Sequence, residues 1–231
     1  MHKSAERATR QFHGRRKGHP LTALQQRRLD AMLPLLRPEL SKAAPWPLTR
    51  LFPDGTRDVW LEIGFGGGEH AAWQAAHHPH VGLIAAEPFV NGVAALAGRI
   101  DAEGLENIKL HDEEAKPLLE WLPPGSISRA FILFPDPWPK RRHWKRRIVA
   151  PATLAALARV MIPGAELRIA TDIGDYMRTT LLAVLASPDF DWPALQPAEW
   201  RERSADWPAT RYEAKAVAAG RRCAYFRFKR R

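Results

Sequence analysis

The chain has 231 residues, enough for one full α/β core with some tail left over, and its 45% hydrophobic content is ordinary for a globular protein. Its charge is not ordinary: 35 Lys and Arg against 25 Asp and Glu give a net +10 and a pI near 10.2, which favours an anionic partner such as nucleic acid or a membrane surface. The single cysteine, Cys223, excludes an internal disulfide and a cysteine metal cage, and no apolar run approaches the roughly 18 residues of a membrane span.

The first residues, 1–19, carry six cations against Glu6 alone and are expected to form a mobile basic arm, with no apolar signal segment, so a cytoplasmic protein is expected. Leucines at positions 21, 24, 29, 33 and 36 predict an amphipathic helix over Leu21–Leu36, and a proline-rich connector completes a unit of residues 20–57. The main domain is then expected over 58–231. Its strands are predicted at Val59–Ile63, Val81–Ala86, Ile108–His111, Ala130–Phe134 and Ala165–Ala170. The intervening helices are Glu69–His77, Val90–Ile100, Ala115–Trp121 and Ile148–Met161, with another over Tyr176–Ala186. Such alternation predicts a Rossmann-like, doubly wound and mostly parallel sheet. A Pro/Trp-rich connector, a helix over Thr210–Ala219 and a strand over Ala224–Phe228 follow. In that strand Ala224, Phe226 and Phe228 are expected inside, with Tyr225 and Arg227 outside.

Chemistry-bearing residues fall where predicted strands end. Phe134-Pro-Asp-Pro-Trp-Pro-Lys140 places Asp136 between two prolines, which stiffen the loop. Lys140 to Arg147 then supply six cations in eight residues, with His143 and Trp144 interleaved: a solvated charge run or a polyanion-binding patch, with Trp144 available to stack on a base. Glu62-Ile-Gly-Phe-Gly-Gly-Gly68 forms a turn whose Gly64 and Gly66 allow close approach to a ligand, although a purely structural tight turn would read the same. Glu87 lies at the spacing of a ribose-binding acid, or simply starts a helix. Asp112 could accept from an adenine amino group, with Glu113 and Glu114 as neighbours in the same role. Asp172 is either a helix cap or a substrate contact, and Thr210-Arg-Tyr-Glu213 is also a capping-box pattern. No histidine pair has metal-ligand spacing, and no metal is expected.

Together these residues resemble the bacterial tRNA (guanine-N7)-methyltransferase family, from about Arg15 to the C-terminus. The likeness rests on Glu62 to His70, on Phe134 to Lys140 with the basic run to Arg147, on Thr171-Asp172 and on Thr210 to Glu213. It implies an S-adenosylmethionine-dependent methyltransferase fold and methyl transfer to N7 of a guanine in the tRNA variable loop, conventionally position 46. It also implies cofactor contacts from Glu62, Gly64, Gly66, Glu87, Asp112 and Asp136, with Asp136 at the reacting centre. Lys140, Asp172, Thr210, Arg211, Tyr212 and Glu213 would face substrate, and Arg142, Lys145, Arg146 and Arg147 would meet RNA. Where the family's last motif often reads Thr-Lys-Phe-Glu, Arg211 and Tyr212 keep a cation and a ring.

Guanine N7 carries a free lone pair, so attack needs no general base, only alignment and negative charge near a purine that becomes cationic. Asp136 on a stiff loop suits that role. Methylation of another RNA base or amine, a non-catalytic RNA-binding protein of the same fold, and a nicotinamide-dependent oxidoreductase are the competing readings. Monomer and homodimer both remain open.

Overall fold

The computed structural model describes residue 14 and residues 16–231, so most of the basic arm expected over 1–19 lies outside the described residues. Its end is tied down. Arg16 O accepts from Val90 N (2.9 Å), Gly18 N donates to Asn91 Oδ1 (2.7 Å), and Asn91 Nδ2 donates to His19 O (2.8 Å).

Among the described residues seven strands form one sheet: β1 (Asp58–Ile63), β2 (Val81–Ala86), β3 (Ile108–His111), β4 (Ile127–Leu133), β5 (Met161–Thr171), β6 (Phe190–Asp191) and β7 (Ala224–Arg230). Their order is β3-β2-β1-β4-β5-β7-β6. The first five pair in parallel, and β7 enters antiparallel between β5 and β6. The expected mostly parallel, doubly wound sheet is therefore present.

Helices α1 (Ala23–Leu36), α2 (Glu69–His77) and α3 (Val90–Glu103) cover one face. Leu29, Ala71, Val93 and Leu96 pack there against Trp60, Leu83 and Phe131. The other face takes α4 (Ala115–Trp121), α5 (Pro151–Val160) and α6 (Gly174–Leu185), through Leu118, Leu157, Tyr176 and Val184 on Leu61, Ile132 and Ile169. Two short elements complete the chain: α7 (Ala198–Arg201) lies against β7, and α8 (Arg211–Ala218) precedes it. Among the described residues no helix is long and apolar enough to cross a membrane, and no His/Cys/Asp/Glu group could hold a metal ion.

Most boundaries fall within a few residues of expectation, and the departures have local causes. α1 starts at Ala23 because Thr22 and Gln25 close a reciprocal capping box. α5 starts at Pro151, not Ile148, because the residue before a proline is pushed out of the helical region, and Ala150 is extended (φ −142°, ψ 158°). Tyr225, expected outside, is buried. The loop before α8 folds over that face, so Trp207 packs edge-on against the Tyr225 ring (5.5 Å between centroids).

Candidate active site

In an open α/β sheet the binding crevice lies beyond the carboxyl ends of the strands, where strand order reverses. Here that point falls between β1 and β4. The glycine turn leaves β1 and the Pro-Asp-Pro loop leaves β4. Ladder bonds continue past the strand ends and fix where each loop departs: Gly64 N to Ala86 O (2.8 Å), Glu87 N to His111 O (2.9 Å) and Phe134 N to Ala170 O (2.8 Å).

The turn is built on left-handed backbone. Gly64 and Gly66 have φ of +78° and +57°, values at which an L side chain is strained. A Cβ on Gly64 would meet nothing within 4 Å, so this backbone stays open to a ligand. Glu87 holds the turn from β2: one carboxylate oxygen accepts Gly66 N (2.9 Å) and the other Phe89 N (3.0 Å). Burial foremost pushes the Glu87 carboxyl above its usual range, against the two backbone donors, with the charges of Asp136 and Glu62 adding to the rise. Each oxygen keeps a further lone pair for an incoming hydroxyl. Gly92 of α3 is pressed against the same turn; a Cβ there would lie 2.0 Å from Gly66 O.

Glu62 stands behind the turn rather than in the open. It is 1% exposed, and its carboxylate accepts the Nδ1 proton of His70 at 2.8 Å. Gln74 Nε2 lies 3.0 Å from His70 Nε2 and donates to Asp206 O (3.0 Å), which fixes the ring between Glu62 and the loop before α8. Asp112, at the end of β3, is gripped by both arms of Arg37, at 2.8 and 2.5 Å.

Asp136 lies on the crest of its loop, and partial desolvation of its carboxyl raises it above the usual range. The loop is bracketed by Phe134 and Trp138 at φ of +48° and +43°. Bulky residues rarely adopt such angles unless surrounding contacts impose them. A 3₁₀ turn over Arg141–Arg146, unforeseen from the charge run, follows. Lys140, Arg141, Arg142 and Lys145 are exposed on it, and Arg146 is half-buried with its guanidinium 4.9 Å from the Trp138 ring. Arg147 departs from the grouping with RNA-facing cations. It is buried and bonded to Pro137 O, Thr179 and Asp175, because the helix behind it supplies a carboxylate and a hydroxyl. Trp144 differs too: its indole nitrogen is buried and the Arg147 guanidinium lies 4.7 Å from its ring, so that ring packs on arginine.

The Thr210 to Glu213 segment comes back to the glycine turn. Tyr212 lies against Gly66, where a Cβ would be 2.7 Å from its ring, and Arg211 crosses Gly67 to pair with Glu69. Thr210 caps α8 through Glu213 N (3.2 Å), but only half of the capping box forms. The Glu213 carboxylate instead accepts from Tyr225 OH (2.7 Å) and Arg203 Nε (3.0 Å), and its other oxygen is buried with no hydrogen-bond partner. Asp172, beyond β5, pairs with Arg221 at 2.6 Å. Tyr225, Arg203 and His70 are site residues that sequence reasoning missed. Only tertiary packing brings them to Glu213 and Glu62.

This sheet order, with a glycine turn and acids at its switch point, defines an α/β methyltransferase. Solved structures share the fold: an rRNA methylase from Streptococcus thermophilus (TM-score 0.50, 12% identity, covering 80% of this chain and 92% of that one) and TrmN from Thermus thermophilus (TM-score 0.52, 16% identity, 88% and 53%). A family model described as "Putative methyltransferase" matches residues 56–225. The chain is 52% identical over 223 residues to a tRNA (guanine-N(7)-)-methyltransferase of Rhodospirillum rubrum, covering 95% of this chain and 88% of that one. It is 47% identical over 224 residues to the like-named protein of Rhizobium meliloti, covering 97% of each. The chain belongs to the tRNA (guanine-N7)-methyltransferase family.

Proposed function

We propose that this protein transfers the methyl group of S-adenosylmethionine to N7 of guanine 46 in tRNA. The observation that carries the reading is the meeting, at the β1/β4 switch point, of a glycine turn held by Glu87 with Asp136 on a proline-stiffened loop, beside four exposed cations. The residues fit the cofactor. Open left-handed backbone at Gly64 allows close approach, Glu87 keeps acceptor capacity for ribose hydroxyls, and Asp136 adds charge complementary to a cationic ligand. Asp112 stands just past β3, held by Arg37, while Glu62 supports the turn from behind, paired with His70.

When bound, S-adenosylmethionine supplies an electrophilic methyl group, which the N7 lone pair accepts with no proton to remove. Asp136 orients the purine and stabilises the positive charge it acquires. The unpaired buried oxygen of Glu213 suits the N–H donors of a guanine edge, and Tyr212 supplies a ring beside it. Lys140, Arg142 and Lys145 meet backbone phosphates, with Asp172 nearer the substrate.

Incubation with methyl-labelled S-adenosylmethionine and unmodified tRNA, followed by mapping of the label, tests the reading. N7-methylguanine at position 46 is expected, and label at any other base refutes it. Asp136→Asn keeps shape but removes charge, so kcat should fall by about 10²–10³-fold with tRNA affinity nearly unchanged.

A further inference from the structure

The basic run ends in a residue unlike the rest of it. Arg147 is 5% exposed, and its guanidinium donates in three directions: Nε to Pro137 O (3.0 Å), Nη1 to Thr179 Oγ1 (2.7 Å) and Nη2 to Asp175 Oδ2 (2.6 Å). Its planar cation also lies 4.7 Å from the Trp144 ring centre and 4.9 Å from that of Tyr176. We propose that Arg147 is a positioning residue for methyl transfer, pinning the carbonyl of Pro137 to α6 and so holding Asp136 in the crevice. The inference rests on the reading of Asp136 given above.

The loop needs an outside tie. Pro135 and Pro137 have no N–H, so the backbone on either side of Asp136 offers no donors of its own. Phe134 and Trp138 hold left-handed φ at the two ends, a conformation that relaxes unless neighbouring contacts over-determine it. The Pro137 carbonyl is the one loop acceptor seized by a buried cation, and that cation's other two arms are fixed on one helix. α6 begins just after Thr171-Asp172, so the same guanidinium ties the loop leaving β4 to the segment leaving β5. Lysine cannot reproduce this: it is a point charge without the fork that reaches three acceptors at once. An arginine so placed is not free to follow a phosphate, because leaving would break all three of its hydrogen bonds and move a buried guanidinium off two aromatic rings.

The test compares Arg147→Lys in two backgrounds by single-turnover methylation with enzyme in excess, alongside the salt dependence of tRNA binding. In the otherwise wild-type protein, the methyl-transfer rate is expected to fall about tenfold to a hundredfold, as displacement of an aligned group does. The slope of log affinity against log salt should stay unchanged. In an Asp136→Asn background the same substitution should cost less than about twofold, because the group it positions has already lost its charge. An equal loss in both backgrounds would mean general structural damage and overturns the inference alone. A slope lowered by about 0.7–0.9 would make Arg147 a phosphate contact and likewise overturns it. Full activity of Asp136→Asn by itself refutes the underlying reading instead. If Arg147→Lys does not fold, Thr179→Val and Asp175→Ala release the clamp from α6 and should show the same dependence on Asp136; full methyl-transfer rates in both would overturn the proposal.

Discussion

Replacing Lys140, Arg141, Arg142 and Lys145 together by alanine isolates the part of the basic run that can reach RNA. The choice comes from the structure. These four are exposed, whereas Arg146 is half-buried near Trp138 and Arg147 is buried in its clamp. A cation that neutralises a phosphate releases counterions and adds roughly 0.7–0.9 to the slope of log affinity against log salt. Four such contacts correspond to a slope lowered by about 3. Between 50 and 200 mM salt, the variant's affinity should therefore change less than the wild type's by a factor of roughly 60. Side chains that stay in solvent in the complex reduce the figure in proportion. Fluorescence anisotropy with unmodified tRNA at five or six salt concentrations measures the slope. Calorimetry with S-adenosylmethionine should meanwhile report unchanged affinity, since the glycine turn is untouched. An unchanged slope would mean that the tRNA backbone runs elsewhere on the protein.

Three further expectations concern the framework of the site. Glu87→Gln sets an amide N–H₂ against one of the two backbone donors the carboxylate now accepts; S-adenosylmethionine binding should weaken by about 1.5–3 kcal/mol, and calorimetry finding no change would remove Glu87 from the cofactor site. Two glycines inside α3 should respond with opposite sign. Gly98→Ala meets only Arg28 Nη1 at 3.9 Å and should gain up to about 1 kcal/mol in urea unfolding, whereas Gly92→Ala runs into Gly66 O and should lose about 1–3 kcal/mol along with cofactor affinity. Asp206, whose carboxyl is held well below its usual range chiefly by its hydrogen bond with Arg168, contributes stability that is present above its unfolded pKa near 3.9 and is lost as pH falls through the lower folded value. Asp206→Asn should cost about 1 kcal/mol at pH 7, its partial exposure limiting the effect, and the gap to wild type should begin to narrow below about pH 4; a gap equally large at pH 6 and pH 2 would refute the ionic origin.

Local chemistry made much of this protein legible from its residues. Apolar runs closed by glycine, proline or acid mark the parallel strands, since a strand buried on both faces needs an unbroken run and a loop needs residues that stop it. Gly64 to Gly68 and Pro135-Asp136-Pro137 declare their loops because φ > 0 and ring-fixed φ are properties of those residues themselves. What the sequence could not convey is which distant groups meet. In the run from Lys140 to Arg147 the basic side chains look alike, and Arg147 is set apart only because Thr179 and Asp175 on α6 face it. Thr210-Arg-Tyr-Glu213 reads as a cap, yet Tyr225 from β7 and Arg203 from the preceding loop draw Glu213 inward, while α8 carries Tyr212 back onto Gly66. Glu62 reads as an open ligand and is enclosed by His70, in the first turn of α2. Turn and strand propensity act over a few residues, but burial and pairing depend on elements brought together by the sheet order. Only the folded chain therefore decides which of several identical charges faces water and which is locked inside.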